Sequence, residues 1–236
     1  MMDLNVEWGF YHSYNEDEKN ISDGPQPQGG DSAMGTGQCI PGYIDYEGDE
    51  RKWLLGDDSL QFQNSGAYIF RPKELDEKPT LIDQDIENVQ IYESPLITEI
   101  RTQFSSWVKQ TTRIKRGQPD VEIEFTVGPV PAHGREGYEV IARYQSSVNN
   151  GQVFYTDSNA RDFIRREVGK RNTWNLQEYQ PVAGNYYPIN AAVYIEDEDS
   201  CLAILNDRSQ GGSSLNNGAI EVMVQRRTKA DDHRGM

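Results

Sequence analysis

Apolar and polar residues alternate with a period of two along much of the chain. Val121, Ile123, Phe125 and Val127 stand against Asp120, Glu122, Glu124 and Thr126, the pattern of a half-buried β-strand. Ile220, Val222 and Val224 repeat it against Glu221, Met223 and Gln225. Ala191 to Ile195, the acidic run Glu196-Asp197-Glu198-Asp199-Ser200 and Cys201 to Leu205 read as a hairpin. Further strands are predicted at 5–14, 66–71, 88–93, 96–104, 106–116, 138–147 and 152–156. Gly117, Gly128-Pro129, Gly134, Gly137 and Asn149-Asn150-Gly151 punctuate them. One short helix is predicted over Ala160 to Val168. Many strands at a spacing of roughly 8–12 residues, with almost no helix, specify an all-β antiparallel sandwich.

Charge breaks the pattern in one place. Residues 15–59 hold 11 acids against Lys19, Arg51 and Lys52, so they contribute -8 of the net charge of -15. They also hold eight of the 21 glycines and three of the 11 prolines. Such a segment buries too little apolar surface to offset its ordering entropy. It is expected to be a long, disordered acidic insertion, with Trp53, Leu54 and Leu55 docking locally. Residues 1–14 then supply the first strand, and 60–236 the body of the sandwich.

The overall balance excludes some functions. Thirty-eight acids against 23 bases disfavour a nucleic-acid binder, which needs a basic footprint. They equally disfavour adhesion to an anionic membrane, and no apolar run approaches the ~20 residues of a membrane span. Asp3 and Glu7 interrupt the first ten residues, so no signal peptide is expected in this chain. Cys39 and Cys201 are the two thiols, expected to be unpaired, with a disulfide as the alternative. His12, His133 and His233 are isolated, which argues against a self-contained zinc site.

Candidate chemistry is sparse. Asp157, in Phe154-Tyr155-Thr156-Asp157-Ser158-Asn159, follows a strand and opens a polar turn, where it serves equally as a turn or cap residue. No nucleophile elbow and no phosphate loop occur. Three polar segments are richer: Gly184-Asn185-Tyr186-Tyr187-Pro188, Asp207 to Ser214, and Arg226-Arg227 followed by Asp231-Asp232-His233-Arg234-Gly235. Aromatic faces beside amides and guanidinium forks suit sugar hydroxyls, and they equally suit salt-bridged structural corners.

These segments carry a resemblance. In order, they are Ser65 to Pro72 (Ser-Gly-Ala-Tyr-Ile-Phe-Arg-Pro), Phe154 to Asn159, Pro181 to Pro188, Asp207 to Leu215, and Arg226-Arg227 through Gly235. Together they resemble the C-terminal β region of the glycoside hydrolase family 38 α-mannosidases, the lysosomal type in particular. The resemblance implies an antiparallel β-supersandwich of the galactose-mutarotase-like kind. It implies a parent that is a retaining, zinc-dependent exo-α-mannosidase of N-glycans, whose nucleophile and zinc ligands belong to an N-terminal barrel. Nothing in this chain matches those parts, so the chain alone is expected to be non-catalytic and to hold no metal. The implied partners are that barrel and mannose-containing N-glycans. The implied localisation is lysosomal, vacuolar or secretory, in keeping with the glycosylation acceptor Asn20-Ile21-Ser22.

By the same resemblance Tyr68 and either Arg226 or Arg227 line the sugar pocket. Asp157, Tyr187, Arg208, Asp231, Asp232 and Arg234 are the further candidates. The sequence departs from the family in the length of 15–59 and in stopping at Met236, and with the barrel unmatched, truncation at both ends is expected. Two other functions compete: a stand-alone carbohydrate-binding module, and an assembly element that docks to a barrel subunit.

Overall fold

A computed structural model of the chain describes residues 4–13, 70, 72, 78–82, 88–131, 137–171 and 181–227. The expected strand at 66–71 and the acidic insertion lie almost wholly outside them. Among the described residues fourteen strands make three sheets, and every strand pairing is antiparallel. The all-β antiparallel architecture read from the sequence is therefore present.

The six-stranded sheet has the spatial order β10 (Tyr187–Ile189), β13 (Gln210–Ser213), β14 (Ala219–Arg227), β7 (Gly137–Ser146), β1 (Leu4–Ser13) and β2 (Thr80–Leu81). A four-stranded sheet runs β12 (Cys201–Leu205), β11 (Ala192–Glu196), β8 (Val153–Ser158) and β9 (Asp162–Glu167). The other runs β3 (Val89–Glu93), β4 (Ile97–Gln103), β5 (Val108–Lys115) and β6 (Val121–Val127).

One face of the six-stranded sheet packs against both smaller sheets. Trp8, Val140, Ala142, Ile220 and Val222 meet Val108 and Phe125 on one side and Phe154, Val193 and Ile195 on the other. Trp8 is fully buried, with its ring 5.4 Å from Phe125, and its Nε1 donates to Gln110 Oε1 at 2.9 Å. The β3–β6 sheet leaves the core as it extends. Along β5 the exposure of the same face climbs from Val108 at 0% to Ile114 at 43%. Its outer face is a ladder of ion pairs joining Arg101, Glu99, Arg113, Glu122, Glu124 and Lys115.

The expected helix over Ala160 to Val168 is a correction. Asp162–Glu167 is strand β9, paired along its whole length with β8. Asn159 and Ala160 carry the left-handed φ values of 52° and 56° that turn the chain back, so a tight hairpin overrides the helical propensity of the segment. Strands β10 and β13 were not foreseen. β10 is three residues long and β13 contains Gly211-Gly212, so neither carries an apolar alternation. Gly212 allows a close approach there: a Cβ would lie 3.0 Å from the Ile189 side chain, which would have to shift.

Candidate functional site

The second face of the six-stranded sheet carries charge. Two cross-strand rows lie on it. In the first, Glu7 on β1, Arg143 on β7 and Glu221 on β14 stand directly opposite one another. In the second, Tyr11, Glu139 and Arg226 do the same. Tyr11, Phe70, Ile141, Val182, Ala183, Tyr186 and Met223 form an apolar cluster over the rows, and the Glu139 and Glu221 carboxylates are buried.

Glu221 is the centre of the first row. It is 1% exposed, and four donors meet its two oxygens. Arg143 Nε and Nη2 reach Oε1 at 2.9 and 2.5 Å, and the hydroxyls of Tyr11 and Tyr186 reach Oε2 at 3.0 and 2.6 Å. Arg143 Nη1 also meets Glu7 at 3.4 Å. Burial, and then the Glu221 charge, push the Tyr11 and Tyr186 phenols far above their ordinary value, so both stay neutral donors. Burial opposes the charge on Arg143, but the Glu221 carboxylate raises its pKa above the ordinary value. A carboxylate whose acceptor sites are all engaged cannot shuttle a proton. This row fixes strand register.

The second row ends in a partly open group. Glu139, 1% exposed, accepts from Arg226 Nε at 2.5 Å and Nη2 at 2.9 Å. The Arg226 side chain remains 29% exposed. A bulge selects it: the register of β14 shifts by one residue between Met223 and Gln225. Unbroken alternation from Glu221 would bring Arg227 to this face. The extra residue brings Arg226 instead and sends Arg227 to the opposite face, where its Nη1 donates to the Val130 carbonyl. Bulges re-aim side chains in this way.

The other sequence candidates are dispersed. Tyr68, Asp231, Asp232 and Arg234 lie outside the described residues. Arg208 is exposed and pairs with its neighbour Asp207 at 2.6 Å. Tyr187 is buried on the far side of the sheet, its ring 5.8 Å from Phe154. Asp157 is buried and tied to backbone: its Oδ1 accepts from Asn190, Ala191 and Ala192 at 2.7, 3.0 and 3.2 Å, and its Oδ2 from Ala160 at 2.7 Å. Burial works to raise its pKa, but the four N–H donors outweigh it and hold the carboxyl below the usual range.

The sign of the pH effect follows for Asp157. A carboxyl depressed in the fold adds stability above its unfolded pKa of about 3.9, and that stability is lost as pH falls through the folded value. Asp157→Asn is expected to destabilise the chain by about 1–3 kcal/mol at neutral pH, with the difference shrinking in acid. Urea unfolding of both proteins at neutral pH and at about pH 3 measures it. An equal gap at both would contradict the assignment.

Sequence reasoning missed Tyr11, Glu139, Arg143, Tyr186 and Glu221. In a strand with strict alternation the charged positions read as the solvent face. A signal was present in β7, where Ile141 sits between Glu139 and Arg143 on the nominally polar side. Apolar residues on both faces indicate burial on both.

The described residues do not fit a zinc ion. No three His, Cys, Asp or Glu side chains among them converge as a ligand set. Glu139 and Glu221 are committed to arginines, and His12 packs between Phe10 and Tyr138. What the face offers is a guanidinium held in place by a buried carboxylate.

Comparison with known proteins agrees with the sequence resemblance. Residues 42–234 match the family described as the glycosyl hydrolases family 38 C-terminal domain. The lysosomal alpha-mannosidase of Felis catus is 44% identical over 178 residues, 75% of this chain and 17% of its own length. The alpha-mannosidase of Canavalia ensiformis is 42% identical over 204 residues, 85% of this chain and 20% of its own length. The lysosomal alpha-mannosidase of Homo sapiens is 43% identical over 182 residues, 77% of this chain and 18% of its own length. The chain thus spans a fifth or less of these relatives. It belongs to the glycoside hydrolase family 38 C-terminal domains, the β domain of the α-mannosidases.

Proposed function

We propose that this β domain supports and lines the mannose-cleaving site of a family 38 α-mannosidase, with the nucleophile and zinc held by an N-terminal catalytic domain. The observation that carries this reading is the Glu139–Arg226 pair, brought to the charged face by the bulge in β14. A guanidinium fixed by a buried carboxylate loses little freedom when it binds, so it can orient a sugar hydroxyl or a reacting acid at small entropic cost. It cleaves no bond itself. Tyr68 is proposed to share the pocket. The fold is read as a galactose-mutarotase-like supersandwich, with 1–14 and 60–236 in one β domain and 15–59 as its insertion.

The exposed end of the β3–β6 sheet supports a docked arrangement. Val89, Ile91, Ile114 and Val121 share its apolar face and are 44, 60, 43 and 43% exposed. Exposed apolar patches of this kind mark interaction surfaces. The proposed partners are the catalytic domain and mannose-containing N-glycans, in a lysosomal, vacuolar or secretory setting.

The test compares two proteins. The chain alone, given an aryl α-mannoside and zinc, is expected to show no turnover. A chimaera in which the chain replaces the matching segment of the Canavalia ensiformis enzyme is expected to hydrolyse it. Turnover by the chain alone, abolished by Asp157→Asn, would falsify the non-catalytic role. Saturable mannose binding by the chain alone would favour a carbohydrate-binding module instead.

A further inference from the structure

Five arginines are half-buried among the described residues: Arg113, Arg143, Arg166, Arg171 and Arg226. Arg113, Arg143 and Arg226 each hold carboxylates. Arg166 and Arg171 do not: among the described residues neither has an acid within ion-pair reach. In a chain of net charge -15, two neighbouring half-buried cations without a counter-ion require an explanation.

Their surroundings are built. Both guanidiniums lie against the buried Tyr187 ring, with Cζ 4.0 Å from its centroid for Arg166 and 5.2 Å for Arg171. Arg166 Nε donates to Thr156 Oγ1 at 3.1 Å. Arg171 Nη2 donates to the Gly184 carbonyl at 2.5 Å and Nη1 to the Lys170 carbonyl at 2.8 Å. Neutral acceptors and an aromatic face therefore position both side chains, and among the described residues the two Nη groups of Arg166 meet no hydrogen-bond acceptor. Glu167, the nearest acid in sequence, lies on the other face of β9, bound to Arg165 and Lys170. Burial, together with Arg171, lowers the Arg166 pKa below its ordinary value, in accord with unneutralised charge. The pair sits beside β9 and β10, each an edge strand of its sheet among the described residues.

We propose that Arg166 and Arg171, seated on Tyr187, form a binding site for a phosphate-type oxyanion. A single carboxylate would neutralise one guanidinium. A phosphate group carries about -1.5 to -2 at neutral pH with three acceptor oxygens, and so matches two. The site is separate from the Arg226 face and does not depend on the glycosidase reading.

The test titrates the full chain at constant ionic strength, following arginine Nε–H resonances and thermal stability. Inorganic phosphate is expected to shift the Arg166 and Arg171 signals saturably and to raise Tm, while chloride and acetate do neither. Arg171→Gln, which leaves Thr156, Tyr187 and Arg166 in place, is expected to weaken phosphate binding by roughly tenfold or more. Arg166→Gln is expected to do the same, and Arg208→Gln is expected to change nothing. Methyl phosphate separates the sources: binding as tight as that of the free ion identifies a phosphomonoester ligand, and much weaker binding identifies free phosphate. No saturable response to phosphate, an equal response to acetate, or phosphate binding undiminished in Arg171→Gln would overturn the proposal.

Discussion

Glu221→Ala is expected to cost about 3–5 kcal/mol of unfolding free energy, because it leaves a buried cation without its counter-ion. Arg143 keeps its place between strands with only Glu7 at 3.4 Å to answer it. The Tyr11 and Tyr186 hydroxyls lose their shared acceptor at the same time. Against a typical domain stability of about 5–15 kcal/mol, this change threatens cooperative folding. Glu221→Gln keeps one acceptor oxygen and the side-chain volume, so its loss should be smaller. Urea unfolding followed by tryptophan fluorescence gives both numbers. If Glu221→Ala unfolds at the same midpoint as the parent, the first row does not hold the sheet together.

Trp8→Ala should be comparably damaging through a different cause. Trp8 is fully buried where the six-stranded sheet meets the β3–β6 sheet, with Phe104 and Phe125 at 6.2 and 5.4 Å. Removing a core aromatic leaves a cavity and costs about 3–5 kcal/mol. Trp8→Phe separates packing from hydrogen bonding. It keeps most of the ring but leaves the buried Gln110 Oε1 without its donor, a loss of about 1–3 kcal/mol. Denaturant titrations of the two variants should fall in that order. Equal losses would place the whole contribution in the Nε1 bond.

The sequence disclosed elements better than faces. Alternation located β6, the β11–β12 hairpin and β14 within a residue or two, because each places its aliphatic residues on one face and its polar residues mainly on the other. It failed at β9, where Asp162 to Glu167 has no dry side: Asp162 to Arg165 are exposed on both faces. It also failed at β10 and β13, whose Pro188 and Gly211-Gly212 carry no alternation. The charged face was illegible for a deeper reason. Glu139, Arg143 and Glu221 occupy the positions that alternation assigns to solvent, and only cross-strand register reveals that Arg143 neutralises Glu221 and Arg226 neutralises Glu139. The choice between Arg226 and Arg227 turned on a single bulged residue, which composition and spacing do not encode.

Arg226 is proposed to face the sugar, and the Canavalia chimaera tests this through kcat/KM for an aryl α-mannoside. The informative pair is Glu139→Gln with Arg226→Gln, which leaves no buried charge behind, set against Arg227→Gln alone. Losing one charged hydrogen bond in the transition state corresponds to roughly 10- to 100-fold. That loss is expected for the double variant, and a change within about threefold for Arg227→Gln, as a surface substitution away from the site allows. The reverse order, with Arg227→Gln impaired and the double variant intact, would contradict that placement of Arg226.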